Sequence, residues 1–120
     1  MIHFATVFLE ATPGPRDNVV RLRLVEDGEP LHVRYEVSPT FTRFVLKIGA
    51  TTVDSTTAPE AFDYSTTTSV LELRLAEVLT AAIARTPVTL ILYSAAWGNG
   101  VVWLHPTATP DRLDLQVVVA

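Results

Sequence analysis

The sequence contains no cysteine, which excludes disulfide bonds, thiol catalysis and thiolate metal sites. It also lacks a run of the about 18–20 apolar residues that a membrane-spanning helix requires. No basic segment precedes the apolar start of the chain, so we expect a soluble protein made without an export signal. A length of 120 residues predicts one domain, because a second core would not fit.

Basic residues are few, and almost all of them are arginine. Lysine occurs once, at Lys47, and acidic residues between the arginines give the chain a formal charge of −4. Binding of nucleic acid through its phosphates requires a basic patch or stripe, and the sequence has none. The mean hydropathy of +0.30 is high for a small monomer, which is compatible with part of the surface being covered by another subunit.

Motifs that carry catalysis or metal binding are also missing. The serines have no Gly-x-Ser-x-Gly setting, and there is no glycine-rich phosphate loop. His3, His32 and His105 are far apart and lack partners at metal-ligand spacing. Asp54 and Asp63 lack the regular spacing of a calcium loop, so turn and capping roles are favoured. We therefore expect no enzyme, no cofactor and no metal site.

The most apolar part of the chain predicts a central hairpin. Residues 88–93 form an almost unbroken apolar run that favours β structure, as expected for a strand buried on both faces. Asn99 and Gly100 then provide the signature of a tight type I′ turn. Residues 101–104 return along the partner strand until Pro106, which lacks the N–H that a ladder requires.

Alternation of apolar and polar residues predicts further short strands. It occurs over residues 20–24, 33–37, 44–48, 71–75 and 113–119, with a shorter strand at 51–53. Asp27 and Gly28 mark a hairpin turn between the first two of these segments. Seven to nine short strands separated by turns are typical of an antiparallel β-sandwich, immunoglobulin-like or jelly-roll.

Two segments are predicted to interrupt this mainly β pattern. Residues 54–69 are rich in threonine and serine and read as a long surface loop, a typical place for a binding contact, with Phe62 and Tyr64 holding it to the core. Residues 69–84 fit a strand and also a helical stripe with a capping box from Ser69 to Glu72. We expect a strand to about Leu75, then one short helix near 76–84.

The N-terminal segment has two interpretations. Residues 2–9 are apolar and β-branched, and a Pro-Gly-Pro break follows at 13–15. They form either an ordinary edge strand or an arm that grips a neighbour, so the chain divides into a segment 1–15 and a β-sandwich domain 16–120. In the arm interpretation, the contact residues are Ile2, Phe4 and Phe8.

Other aromatic side chains are candidates for contacts with a partner. Phe62 and Tyr64 lie in the predicted loop, and Trp97 lies beside the predicted hairpin turn. Trp97, with Tyr93 and Trp103, forms either an aromatic binding patch or an ordinary pair in which one tryptophan packs in the core and the other shields the hairpin. An exposed Trp97 would be an interface anchor.

Three stretches carry a family resemblance: TRFVLKIGATTVDST at 42–56, SVLELRL at 69–75 and VTLILYSAAWGNGVVW at 88–103. A strand ending in glycine leads to an Asp-Ser turn, a leucine-rich strand follows, and an apolar strand ending in tyrosine precedes a turn into Val-Trp. This pattern resembles small accessory virion proteins of tailed bacteriophages. It covers about the C-terminal two-thirds of the chain, and residues 2–15 depart from it.

The resemblance implies a β-sandwich with a structural role. The expected function is a capsid decoration or cementing subunit on the exterior of the virion, made in the host cytoplasm and bound to the major capsid protein and to itself as a dimer or trimer. No nucleic acid or membrane partner is implied. The alternative is a tail or baseplate adaptor, or a receptor-binding module that uses Tyr93, Trp97 and the hairpin. Repetition around a symmetric shell turns weak contacts into strong attachment.

Overall fold

A computed structural model describes residues 2–9, 18–26, 28–35, 40–95, 98–104 and 112–119. Short alternating segments form most of its strands, since alternate side chains of a strand point to opposite faces. The strands are β1 (Ile2–Leu9), β2 (Val20–Arg23), β3 (Val25–Glu26), β4 (Glu29–Pro30), β5 (Phe41–Ile48), β6 (Thr51–Asp54), β7 (Phe62–Ser65), β8 (Val70–Leu73), β9 (Ile83–Ser94), β10 (Val101–Leu104) and β11 (Arg112–Val119). The helices are α1 (Leu31–Arg34) and two 3₁₀ turns, Pro59–Ala61 and Leu75–Glu77.

Strand β9 is the centre of the larger sheet. β5 pairs with one edge of it, while β11 pairs with the first part of the other edge and β10 with the second part, all antiparallel. The sheet continues from β5 to β6 on one side and from β11 to β1 on the other. β1 runs parallel to β11, and it is the exception to the antiparallel pattern among the described strands.

A smaller sheet with strand order β2-β8-β7 covers one face of the larger one. Both sheets contribute to one apolar core, which includes Leu90 from β9 and Leu71 from β8. The rings of Phe44 on β5 and Phe62 on β7 stack with centroids 5.4 Å apart and join the two layers directly. The predicted mainly β fold is therefore confirmed, with two layers packed as in a β-sandwich.

Residues 2–9, for which strand and arm were the alternatives, form β1 and pair with β11 along their whole length. Val7 is fully buried in the core, and Ala5 and Leu9 pack against it. The predicted Pro-Gly-Pro break lies outside the described residues.

The central strand lies where it was predicted, but its burial differs from the prediction. Val88, Leu90 and Leu92 are fully buried, whereas Thr89 and Ile91 between them are partly exposed. The prediction of burial on both faces is wrong, because the smaller sheet covers one face only.

The predicted tight turn after β9 is also wrong. Residues 95–100 join β9 to β10, and of the Asn99-Gly100 pair only Gly100 has a positive φ, +83°. A type I′ turn needs positive φ at both residues. The antiparallel pairing of β10 with β9 is as predicted.

Three further segments differ from expectation. The predicted helix near 76–84 is reduced to the 3₁₀ turn Leu75–Glu77, and β9 already begins at Ile83, because pairing with β11 outweighs the local helical pattern. The predicted strand 33–37 does not form at its start, because Val33 and Arg34 belong to α1 and Val33 is 57% exposed; residues 36–37 lie outside the described residues. The predicted loop 54–69 contains β7, which pairs with β8.

Ser69 holds the start of α1 and the end of β2 against the turn between β7 and β8. It is fully buried and has a φ of +59°, which is uncommon for a residue with a side chain. Its carbonyl oxygen accepts a hydrogen bond from the Leu24 N–H at 2.7 Å. Its hydroxyl accepts one from the His32 N–H at 2.8 Å and lies 2.8 Å from His32 Nδ1. The capping box predicted from Ser69 is therefore replaced by a bridge between elements distant in sequence.

We predict that Ser69→Ala lowers the free energy of unfolding by about 1–3 kcal/mol, because the buried His32 N–H loses its acceptor. Alanine and serine meet the same backbone restriction at positive φ, so the difference isolates the hydroxyl. Urea unfolding measures the change, and Thr68→Ala, at an exposed neighbouring position, is the matched control. Equal stability of Ser69→Ala and wild type would show that the bridge adds nothing.

Candidate functional site

The structure separates the residues predicted to contact a partner. Phe4 on β1 is 48% exposed, and Phe8 on the same strand is partly buried. Phe62 is buried, and Tyr64 packs beside Phe41 with ring centroids 5.0 Å apart. The side chain of Ile2 and all of Trp97 lie outside the described residues. Of the predicted set, Phe4 therefore offers the clearest contact surface, while Phe62 belongs to the core.

The outer edge of β1 is closed at one end by a side chain. Asn18 Oδ1 accepts a hydrogen bond from the Phe8 N–H at 3.1 Å, and Asn18 Nδ2 donates to the Phe8 carbonyl oxygen at 2.7 Å. This amide reproduces the pair of hydrogen bonds that a neighbouring strand would make. Growth of the sheet beyond β1 is therefore blocked at Phe8.

Within the described residues, the rest of that edge has no neighbouring strand. Backbone groups of alternate residues in a strand point to the same side. The backbone N–H and C=O groups of Phe8 point away from β11, since both bond to Asn18. The backbone groups of Phe4 and Thr6 therefore point away from β11 as well. Neither residue has a hydrogen-bond partner on that side within the part of the chain that the structure describes. β1 thus presents unpaired N–H and C=O groups beside an exposed phenyl ring.

The composition of β1 leaves this edge unprotected. β1 has eight residues, IHFATVFL, with no Asp, Glu, Lys, Arg, Pro or Gly, and its register with β11 shows no bulge. Native proteins protect sheet edges with charges, prolines, bulges or short strands, since a long apolar edge recruits further strands. The edge strands β6, β2 and β7 have four residues each and carry Asp54, Arg21 and Asp63, respectively.

A small charged cluster supports Phe4 on the outer face of the sheet. The Arg85 guanidinium lies 4.3 Å from the centroid of the Phe4 ring, and its Nε is 3.3 Å from Asp114 Oδ2. Arg112 Nε donates to Asp114 Oδ1 at 2.9 Å. Asp114 is buried beneath both arginines, which fix its position. The cation stacked on Phe4 is therefore oriented by a carboxylate on the neighbouring strand.

A cleft of about 710 Å³ runs beside β1 toward the smaller sheet. It separates β1 from the segment 18–25, and its mixed apolar and polar walls come from several elements. Its described lining consists of Phe4, Ala5, Thr6, residues 18–25, Trp103, Leu104 and Leu113. The available edge of β1 thus borders a concave surface.

The described residues offer little for catalysis or metal binding. They contain no group of three or more His, Cys, Asp or Glu side chains placed to hold a metal ion. Ser69 and His32 are hydrogen-bonded as a nucleophile and its base would be, but Ser69 is fully buried, so its hydroxyl cannot reach a substrate. Within the same residues, no helix is long and apolar enough to cross a membrane.

Three residues of this site were missed from sequence: Asn18, Arg85 and Asp114. Asn18 gave no local signal, because its partner Phe8 precedes the Pro-Gly-Pro segment. Asp114 is polar in a strand whose alternate positions are apolar, which places it on the outer face, but its pairing with Arg85 requires the β9–β11 register.

Comparison of the chain with family models, with curated proteins and with solved structures found no match.

The opposite edge of the sheet illustrates a protected end. Arg43 Nε donates to Asp54 Oδ1 at 3.1 Å, and a second hydrogen bond joins Arg43 Nη2 to Asp54 Oδ2. The Thr56 N–H also donates to Asp54 Oδ1, at 3.0 Å. The Arg43 guanidinium, followed by the Thr56 N–H, holds the pKa of Asp54 well below its ordinary value of 3.8.

We predict that Asp54→Asn destabilises the protein at pH 7, and that its difference from wild type narrows as the pH falls below about 4. Because the pKa of Asp54 is lower in the folded state than in the unfolded state, the carboxylate stabilises the fold at pH values above the unfolded-state pKa. That contribution is lost as falling pH protonates the carboxylate. Urea midpoints between pH 7 and pH 2 measure the difference in stability. The difference between Arg43→Met and wild type is expected to narrow over the same pH range. A constant difference across this range contradicts the prediction.

Proposed function

We propose that this chain is a structural subunit of a larger assembly and joins its neighbours through the available edge of β1. The proposal rests on the open part of this edge, from Ile2 to Thr6. This stretch contains no Asp, Glu, Lys or Arg, and it includes the exposed Phe4. Such an edge is a liability for a free monomer, because it recruits strands indiscriminately. In a subunit it is a contact surface.

The assembly we propose is the head of a tailed bacteriophage, with the chain as a decoration or cementing protein on the capsid exterior. The resemblance of residues 42–56, 69–75 and 88–103 to accessory virion proteins supports this role. A cement needs a rigid fold and repeated contacts, not an active site, and the described residues form a continuous apolar core shared by both sheets. The proposed partners are the major capsid protein and further copies of the chain, without nucleic acid, membrane or cofactor.

The aromatic residues around the hairpin give less support to the tail or receptor-binding alternative. The Tyr93 ring is covered by the Arg43 guanidinium, 4.9 Å from its centroid. Trp103 packs against the core. Tyr93 and Trp103 therefore both make contacts within the fold, although Trp103 also lines the cleft, and Trp97 lies outside the described residues.

The test is co-sedimentation of the purified protein with undecorated heads, and separately with tails, of the phage that encodes it. We expect saturable binding to heads at a fixed ratio to the major capsid protein, since a symmetric shell offers a defined number of sites. Binding to tails alone moves the chain to an adaptor role, and binding to neither particle overturns the proposal.

A further inference from the structure

We propose that the β1 edges of two copies of this chain pair antiparallel about a twofold axis that passes beside Phe4. This inference rests on the proposed function, in which the β1 edge is a contact surface, and it names the first occupant of that surface as a second copy of the chain.

The symmetry of the available edge points to a second copy. Backbone groups of residues 2, 4 and 6 point away from β11, whereas Asn18 closes the edge at Phe8. The midpoint of the stretch that stays open is Phe4. An antiparallel pair centred there sets Phe4 opposite Phe4 and Ile2 opposite Thr6 of the other copy, and it forms roughly six inter-strand hydrogen bonds. The edge is therefore complementary to itself.

The side chains at this edge agree with self-pairing. Directly opposed residues lie on the same face of a sheet, so two Phe4 rings would meet on the outer face. Phe4 is 48% exposed in the single chain, which leaves surface for this contact. No like charges oppose each other along the strand, since β1 carries none. Arg85 is held by Asp114 of its own chain and lies against the ring.

The sheet ends formed by β6 and β2 are less suited to the same contact. β6 carries Asp54 in its ion pair with Arg43, and β2 carries the exposed Arg21 and Arg23. Paired with a second copy about a twofold axis, either strand would bring like charges close together, which is unfavourable. Compared with β6 and β2, β1 is therefore better suited to pairing with a copy of the chain.

The test compares the sedimentation velocity of wild type, Phe4→Lys and Phe4→Glu over a range of concentrations. We expect a concentration-dependent dimer for wild type and a dissociation constant raised about tenfold or more for each variant alone, because like charges then face each other. An equimolar mixture of the two variants is expected to dimerise again. This rescue distinguishes a twofold contact at residue 4 from a general loss of folding.

The matched control is Thr52→Lys, an exposed position on β6, which is expected to dimerise as wild type does. A wild type that stays monomeric overturns the inference, and so does a mixture of the two Phe4 variants that fails to recover the dimer.

A second measurement uses the absence of native cysteine. In a hydrogen-bonded antiparallel pair, opposed Cα atoms lie about 5.5 Å apart, within the span of a disulfide. Phe4→Cys is therefore expected to form a covalent dimer under mild oxidation at dilute concentration, and Thr52→Cys is not. Equal cross-linking of the two variants contradicts a contact centred on Phe4.

Co-sedimentation with heads separates this inference from the proposed function. If wild type is monomeric and binds heads while Phe4→Lys does not bind them, β1 contacts the capsid protein. That result overturns self-pairing and keeps the proposed function. Dimeric wild type that binds no virion particle keeps self-pairing and overturns the function.

Discussion

The face of β9 that carries Val88, Leu90 and Leu92 must be shielded from water, and the arrangement of the other elements depends on this requirement. Both edges of the strand are occupied, by β5 on one side and by β11 and β10 on the other. The buried face needs a second layer, which the smaller sheet supplies. The strands furthest from β9 are β1 and β6, which form the two ends of the larger sheet.

The smaller sheet depends on a different kind of interaction. Its strands have four residues each, too short to specify a layer through ladder bonds alone. Ser69 compensates by joining three separate segments through one buried residue, while Phe44 and Phe62 stack between the layers. The fold thus combines a long sheet organised by alternation with a short one held by a buried polar bridge and by aromatic packing.

Alternation predicted several strands that have one face on the core, but it missed β7, which was predicted as part of a loop although Phe62 is buried. β5, β6, β8 and β11 follow their predicted patterns closely, because burial and period coincide there. Alternation failed at the start of the predicted strand 33–37, where Val33 and Arg34 belong to α1 and the Val33 side chain is exposed. At 76–84, a helical stripe was overridden by pairing with β11, which no local pattern encodes. For the candidate site, the sequence singled out Phe4 as a candidate contact residue, but the hydrogen bonding of the β1 edge depends on Asn18 and on strand order, which are tertiary properties.

The parallel pairing of β1 with β11 has a mechanical consequence. The two strands run in the same direction and are in register over eight residues. A force directed along β1 therefore loads the hydrogen bonds of the ladder together, in shear, instead of opening them one after another from an end. Tension that enters through β1 passes into β11 and from there into β9. The strand that we propose as the contact with a neighbour is therefore also one that resists being pulled out, which suits the proposed cementing role.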